Sequence, residues 1–361
     1  MKNSGNRRIS RRGALRLGAA GGVFIASAPA ILSGRSAHAQ GMEGELVFAS
    51  NGGSYQKVIE TEIFPEFSKR TGVKKLTFVA GQPADNLAKL RVQKGSPSID
   101  VIWLAGAVTY QAADEGLLEE IDETRIPNLK FVPKGLQTEK FAVPAGISTM
   151  GVLYNKEIFA EKKLAAPTSW WDLWDPKFKG RVATFSSNST GQIAMLTIMA
   201  KALTGDWKNL APAFAKMREL KPQVVDFFTS VGGLDKAIQQ REVWMSLHAV
   251  QGAIQHVRAN LPIGFVHPKE GVPGYTASAG IIKGAPHPNA ARAWVDYLLS
   301  ADAQSKLARE MGYSPIHPDA KVPAEYAWLY PDVASVFVPD WRYLTTQLSS
   351  IVERWNRVVE G

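Results

Sequence analysis

Two successive series of short β-rich runs alternating with helical ones constrain this chain more than any other feature. In the first series, residues 46–49, 76–80 and 99–104 read as extended, with helical patterns over 54–70 and 84–93 between them. The second series has extended runs at 182–185, 224–228 and 243–247, separated by helical patterns at 191–203 and 234–240. Repeated βα alternation predicts a parallel sheet with helical crossovers, and two such series predict two α/β lobes. A chain of 361 residues, 45% hydrophobic, has the length for about two domains. Between the series, Pro167 to Gly180 holds Trp170, Trp171, Trp174 and Pro176 and reads as a loop decorated with short helices. In the tail, Leu348, Val352, Trp355 and Val359 recur at helical spacing, which predicts a packing helix without a functional signal.

The opening 39 residues read as an address and not as part of the fold. Ser10-Arg11-Arg12-Gly13-Ala14-Leu15-Arg16 has the form of a twin-arginine export signal, although Ala14 stands where a large apolar residue is favoured. The weakly apolar run from Leu17 to Leu32 contains Pro29 and many small residues, and Ala37-His38-Ala39 is an A-x-A cleavage site. A spanning helix needs about 20 predominantly apolar residues, so a removed signal and a periplasmic product are expected. The net charge of +9 is a property of this segment. Seven of the 42 basic residues precede residue 40, and the remaining 35 stand against 33 acidic ones, or +2. That near-neutrality removes the electrostatic case for nucleic acid. With no cysteine, disulfides, thiolate metal sites and thiol nucleophiles are excluded together.

Asn51-Gly52-Gly53-Ser54-Tyr55 follows the first strand and opens the first helix. The glycines turn the chain there, and the free amides of a helix start can hold an anion. Ser186-Ser187-Asn188-Ser189-Thr190-Gly191-Gln192 repeats the arrangement at the start of the second series. Ligands of open α/β sheets sit beyond the carboxyl ends of strands, so the two corners are expected to face each other across a cleft. Gly106, Trp103, Trp244, Tyr55 and Tyr275 fall at or near strand ends, where an aromatic face can stack on a ligand. His248 ends a strand and is a candidate to reach the cleft. The histidines at 248, 256, 267, 287 and 317 show no metal-binding spacing, so no metal and no cofactor are expected. Gly146-Ile147-Ser148-Thr149-Met150-Gly151 approaches a nucleophile elbow, but its closing glycine comes one residue late. No nucleotide-binding glycine motif occurs, and no catalytic set emerges.

These segments resemble the periplasmic solute-binding receptors of ABC importers, in the branch that includes the spermidine/putrescine-binding proteins. The resemblance rests on Phe48 to Gln56, Asp100-Val101-Ile102-Trp103, Gly151 to Lys156, Pro167 to Trp174, and Pro268-Lys269-Glu270-Gly271. It implies the type 2 periplasmic binding protein fold: two α/β lobes joined by crossing strands, with a hinge-lined cleft that closes on one small solute. It also implies a monomeric, non-enzymatic receptor that delivers its solute to a membrane permease. The lobes are expected at 41–146 plus 277–316, and at 147–276 plus 317–361. The expected ligand set is Asn51, Gly52, Gly53, Ser54, Tyr55, Trp103, Gly106, Ser148, Thr149, Ser187, Ser189, Thr190, Gly191, Gln192, Trp244, His248 and Tyr275.

The polyamine binders are similar but carry carboxylates in the loop matching Ser187 to Gln192, and a Trp followed two residues later by Asp where this chain has Tyr275 and Ala277. A charge-assisted hydrogen bond is worth about 1.5–3 kcal/mol. Losing one weakens an amine roughly ten- to a hundred-fold. The expected solute therefore has an anionic or zwitterionic head. Two alternatives stay open: a polyamine anchored by acids such as Glu270 or Asp85, and an exported enzyme.

Overall fold

The computed structural model describes residues 41–137, 140–187 and 189–361. The export-signal expectation lies outside them. Residues 40–361 form one compact unit. Ten strands run in chain order as β1 (Glu45–Ser50), β2 (Lys75–Ala80), β3 (Val101–Ala105), β4 (Val143–Asn155), β5 (Val182–Phe185), β6 (Val224–Phe228), β7 (Met245–Ala249), β8 (Ile263–Val266), β9 (Val272–Ile281) and β10 (Val336–Phe337). Their lateral order is β2-β1-β3-β9-β4-β7-β5-β6, with β10 beside β9 and β8 beside β4.

At one end β2, β1 and β3 are parallel, and at the other so are β6, β5 and β7. β4 and β9 run antiparallel between these trios and join them. The thirteen residues of β4 are shared: Val143 to Thr149 pair with β9, and Met150 to Tyr154 pair with β7. Two apolar cores flank this crossing. One is built around Phe48, Phe67, Trp103 and Trp294, with side chains from 46–147 and 277–316. The other is built around Trp170, Phe178, Phe214 and Trp355, with Tyr110 and side chains from 150–265 and 329–359. The α/β fold with two lobes is thus present, and the alternating sequence underlies it: β1, β3, β5 and β7 are buried along most of their length and read as apolar runs, whereas the edge strands β2 and β6 stay partly exposed.

Local departures from the expectations have local reasons. The helix after β1 spans Ser54–Thr71 but widens to a π-helical turn over Ile59–Ile63. That turn keeps both Ile59 and Ile63 in the core. β7 begins two residues later than expected, because the Trp244 amide is already engaged by the Arg181 carbonyl before the strand starts. The near-elbow at Gly146 to Gly151 is plain extended backbone inside β4. Pro167 to Gly180 contains two short 3-10 turns, and Trp170 and Leu173 anchor it in the core. Among the described residues, no helix is long and apolar enough to cross a membrane.

Candidate functional site

β1 and β3 are parallel neighbours, so the loops leaving their carboxyl ends lie side by side. Each turns into a helix through a glycine at positive φ, Gly53 (67°) and Gly106 (52°), which an L-residue with a Cβ adopts only with strain. A Cβ on Gly106 would stand 2.7 Å from the Thr190 methyl group. Thr190 opens the helix that follows β5, so a first-lobe corner and a second-lobe corner pack against each other. Ser189 at that N-cap makes no side-chain capping bond. The first-turn amides of such a helix have no acceptor within the helix and carry partial positive charge.

The side chains beside these corners are aromatic. The Tyr55 hydroxyl donates to Gln251 Oε1 at 2.7 Å, linking the first helix to the second-lobe helix Val250–Arg258. The Tyr313 hydroxyl donates to that of Tyr55 at 3.2 Å and accepts from Trp103 Nε1 at 3.4 Å. Tyr275 is the cross-strand partner of Ser148 and is hydrogen-bonded to its side chain. Its ring meets Trp341 edge to face at 6.3 Å between centroids. Burial, followed by the neighbouring phenols of Tyr313 and Tyr275, pushes Tyr55 well above the ordinary tyrosine value. Burial likewise raises Tyr275 and Tyr313. All three phenols are therefore neutral donors and acceptors at physiological pH. The buried polar atoms without a protein partner include Asn51 Oδ1, beside the first corner, and Trp341 Nε1.

The structure gathers Asn51, Gly52, Gly53, Tyr55, Trp103, Gly106, Ser148, Thr190 and Tyr275 at the corners and the crossing strands, with Ser54 opening the first helix. Gly191 is packed against Met150 of β4, where a Cβ would lie 2.6 Å from the thioether methyl. Thr149 is fully buried and its hydroxyl has no partner, and Ser187 is buried at the start of the second corner. Three expected residues lie elsewhere. Gln192 is turned into the second core, where its Oε1 accepts from the Thr184 hydroxyl. Trp244 sits at the amino edge of β7, covered by Lys162 and Arg181 at 5.2 and 5.3 Å from its ring, because the strand starts after it. His248 is buried and points at Asp235, its Nε2 3.0 Å from Oδ1.

Sequence reasoning missed Tyr313, Gln251 and Trp341. Tyr313 follows a helix that ends at Gly312, and only the β4 bridge from Ile147 to Ser314 brings it to the crossing. Trp341 begins the tail helix Trp341–Trp355 and is buried against the Gly106 corner, so that element reaches the corners as well as packing the second core. Neither acid held in reserve for a polyamine is at these corners. Glu270 is bound by the Ser169 hydroxyl and the Trp170 amide, and Asp85 is exposed in the first turn of the helix Pro83–Val92.

Comparison with known proteins identifies the family. The family described as bacterial extracellular solute-binding protein matches residues 62–331. The spermidine/putrescine-binding periplasmic protein 1 of Haemophilus influenzae is 24% identical over 279 residues, covering 74% of this chain and 75% of that one. A Salmonella typhi periplasmic protein provisionally named for 2-aminoethylphosphonate binding is 23% identical over 309 residues, covering 82% and 87%. The crystal structure of an ABC transporter substrate-binding protein from Bradyrhizobium japonicum superposes with a TM-score of 0.74 at 21% identity, covering 88% of this chain and 99% of that one. The chain belongs to the bacterial extracellular solute-binding proteins.

Proposed function

We propose that this receptor captures a small zwitterion, with its anionic head on the helix starts at Gly53, Gly106 and Thr190 and its body against Tyr55, Trp103, Tyr275 and Trp341. The observation that carries the reading is that the corners are uncharged. The side chains gathered there are phenols, indoles, hydroxyls and amides, while three helix starts supply positive potential, each worth about 0.3–1 kcal/mol to an anion before direct bonds. Asn51 Oδ1, an acceptor without a protein partner, suits the amino end, and aromatic faces attract ammonium groups. A relative named for an aminoalkylphosphonate fits this chemistry more closely than one named for a diamine.

The lobes pivot where β4 and β9 pass between the cores, near residues 146–147 and 276–277, and the solute stabilises the closed arrangement. The receptor is exported by the twin-arginine route, acts as a monomer without turnover, and in its closed form presents the solute to a membrane permease. Calorimetric titration of the mature chain with 2-aminoethylphosphonate, γ-aminobutyrate and putrescine tests the ligand class. A zwitterion is expected to bind at least about tenfold tighter than putrescine, a difference of about 1.4 kcal/mol. Tighter putrescine binding would overturn the assignment.

A further inference from the structure

Away from the cleft, Asp235, His248 and His256 converge from three elements: the helix Val231–Gln239, β7 and the helix Val250–Arg258. Asp235 Oδ1 lies 3.0 Å from His248 Nε2 and 2.9 Å from His256 Nε2, and the three donor atoms fall within 4.8 Å of one another. The two imidazoles are 1% and 2% exposed, whereas the Asp235 side chain is 25% exposed and gives a path to solvent. The spacings of thirteen and eight residues match no short metal motif, which is why the cluster is invisible in the sequence.

The arrangement at His248 calls for a cation. Its Nδ1 lies 3.2 Å from the Ala249 carbonyl oxygen, a group that only accepts, so Nδ1 carries the proton. A neutral ring then aims the Nε2 lone pair at a carboxylate oxygen. This contact is repulsive unless a cation lies between them or a second proton sits on Nε2. A carbonyl on the far nitrogen is also the usual way a metal-binding imidazole is oriented. The pocket is shaped for that ring: a Cβ on Gly252 would fall 1.8 Å from His248 Cε1. Two imidazole nitrogens and one carboxylate oxygen are the donor set of an open zinc site, at about 2.0–2.2 Å from the metal. Around a tetrahedral ion, Asp235 Oδ1 and each imidazole nitrogen stand about a few tenths of an ångström farther apart than the 3.0 and 2.9 Å seen here, within the reach of small rotamer adjustments.

We infer that Asp235, His248 and His256 form a binding site for a divalent first-row transition ion, zinc by preference, that clamps the two helices of the second lobe to β7. Gln251, the partner of Tyr55, lies on one of the clamped helices, so the ion also steadies one side of the cleft.

The test uses the full mature chain without a histidine tag, stripped with chelator, exposed to zinc and dialysed. Metal analysis is expected to return one equivalent per chain, with a rise in melting temperature. Cobalt loading is expected to give the visible absorption of a tetrahedral site. Asp235→Asn and His256→Gln, both outside the solute contacts, are each expected to weaken zinc by more than about a hundredfold, since outer-shell partners alone are worth 10–100-fold. If one variant fails to fold, the other decides. Substoichiometric zinc in the parent chain overturns the proposal. So does stoichiometric zinc that both variants retain.

Discussion

The Tyr55 hydroxyl joins the lobes through protein groups, giving to Gln251 and receiving from Tyr313. Tyr55→Phe removes both bonds while keeping the ring. At about 0.5–1.5 kcal/mol net per bond, solute affinity is expected to fall roughly two- to tenfold. Small-angle scattering of the unliganded variant should show a larger radius as the lobes part. Unchanged calorimetric affinity would show that this bond does not hold the lobes together. At this scale the sequence was only partly legible. Glycine corners at strand ends are local signals and were found. Gln192 and Trp244 were misplaced because a side chain's direction depends on the element's register, and the two-residue shift of β7 is invisible to propensity. Tyr313 and Trp341 were missed because nothing near them in the chain reports on a partner more than two hundred residues away.

The helix Thr190–Thr204 is the element on which the ligand assignment turns. Its N-cap, Ser189, makes no capping bond. Ser189→Asp would place a carboxylate on the first-turn amides, adding about 0.3–1 kcal/mol to the helix. The unliganded protein is therefore expected to melt at the same temperature or higher. An anionic head would then meet a like charge and occupied amides, and its affinity should drop more than about tenfold. A zwitterion that binds equally well to this variant in calorimetry would place its head elsewhere. The six parallel strands and the helices read between them were legible, since strands and amphipathic helices differ in period, whereas β4, β8, β9 and β10 and helices such as Pro288–Leu298 and Ala301–Met311 were not picked out. The π-turn at Ile59–Ile63 was not readable, because it preserves the same apolar positions that a regular helix would use.

Across the whole molecule, the three phenols at the crossing predict an alkaline weakness. Burial raises Tyr55, Tyr275 and Tyr313 above the ordinary value of 10.0. As pH rises past the unfolded value, the unfolded chain loses protons that the folded one keeps, so stability falls. The slope approaches about 1.4 kcal/mol per pH unit for each phenol and is absent at lower pH, where both states are protonated. Urea midpoints measured from neutral to alkaline pH should decline only above about pH 10. Tyr313→Phe should flatten that decline, and an equal decline in the variant would assign it to other groups. The two-lobe plan was evident from two βα series, but which strands cross between lobes was not. β4 is a single thirteen-residue strand, buried along nearly its whole length, and no local pattern marks the residue at which it changes partners.

Tyr55, Trp103, Ser148, Thr190, Tyr275, Tyr313 and Trp341 each come from a different stretch of the chain. Changing the cargo of such a receptor is therefore a piecewise undertaking. Grafting one stretch from a cousin with other tastes redraws one wall and leaves the rest standing, so appetite can drift by small steps while the protein continues to fold.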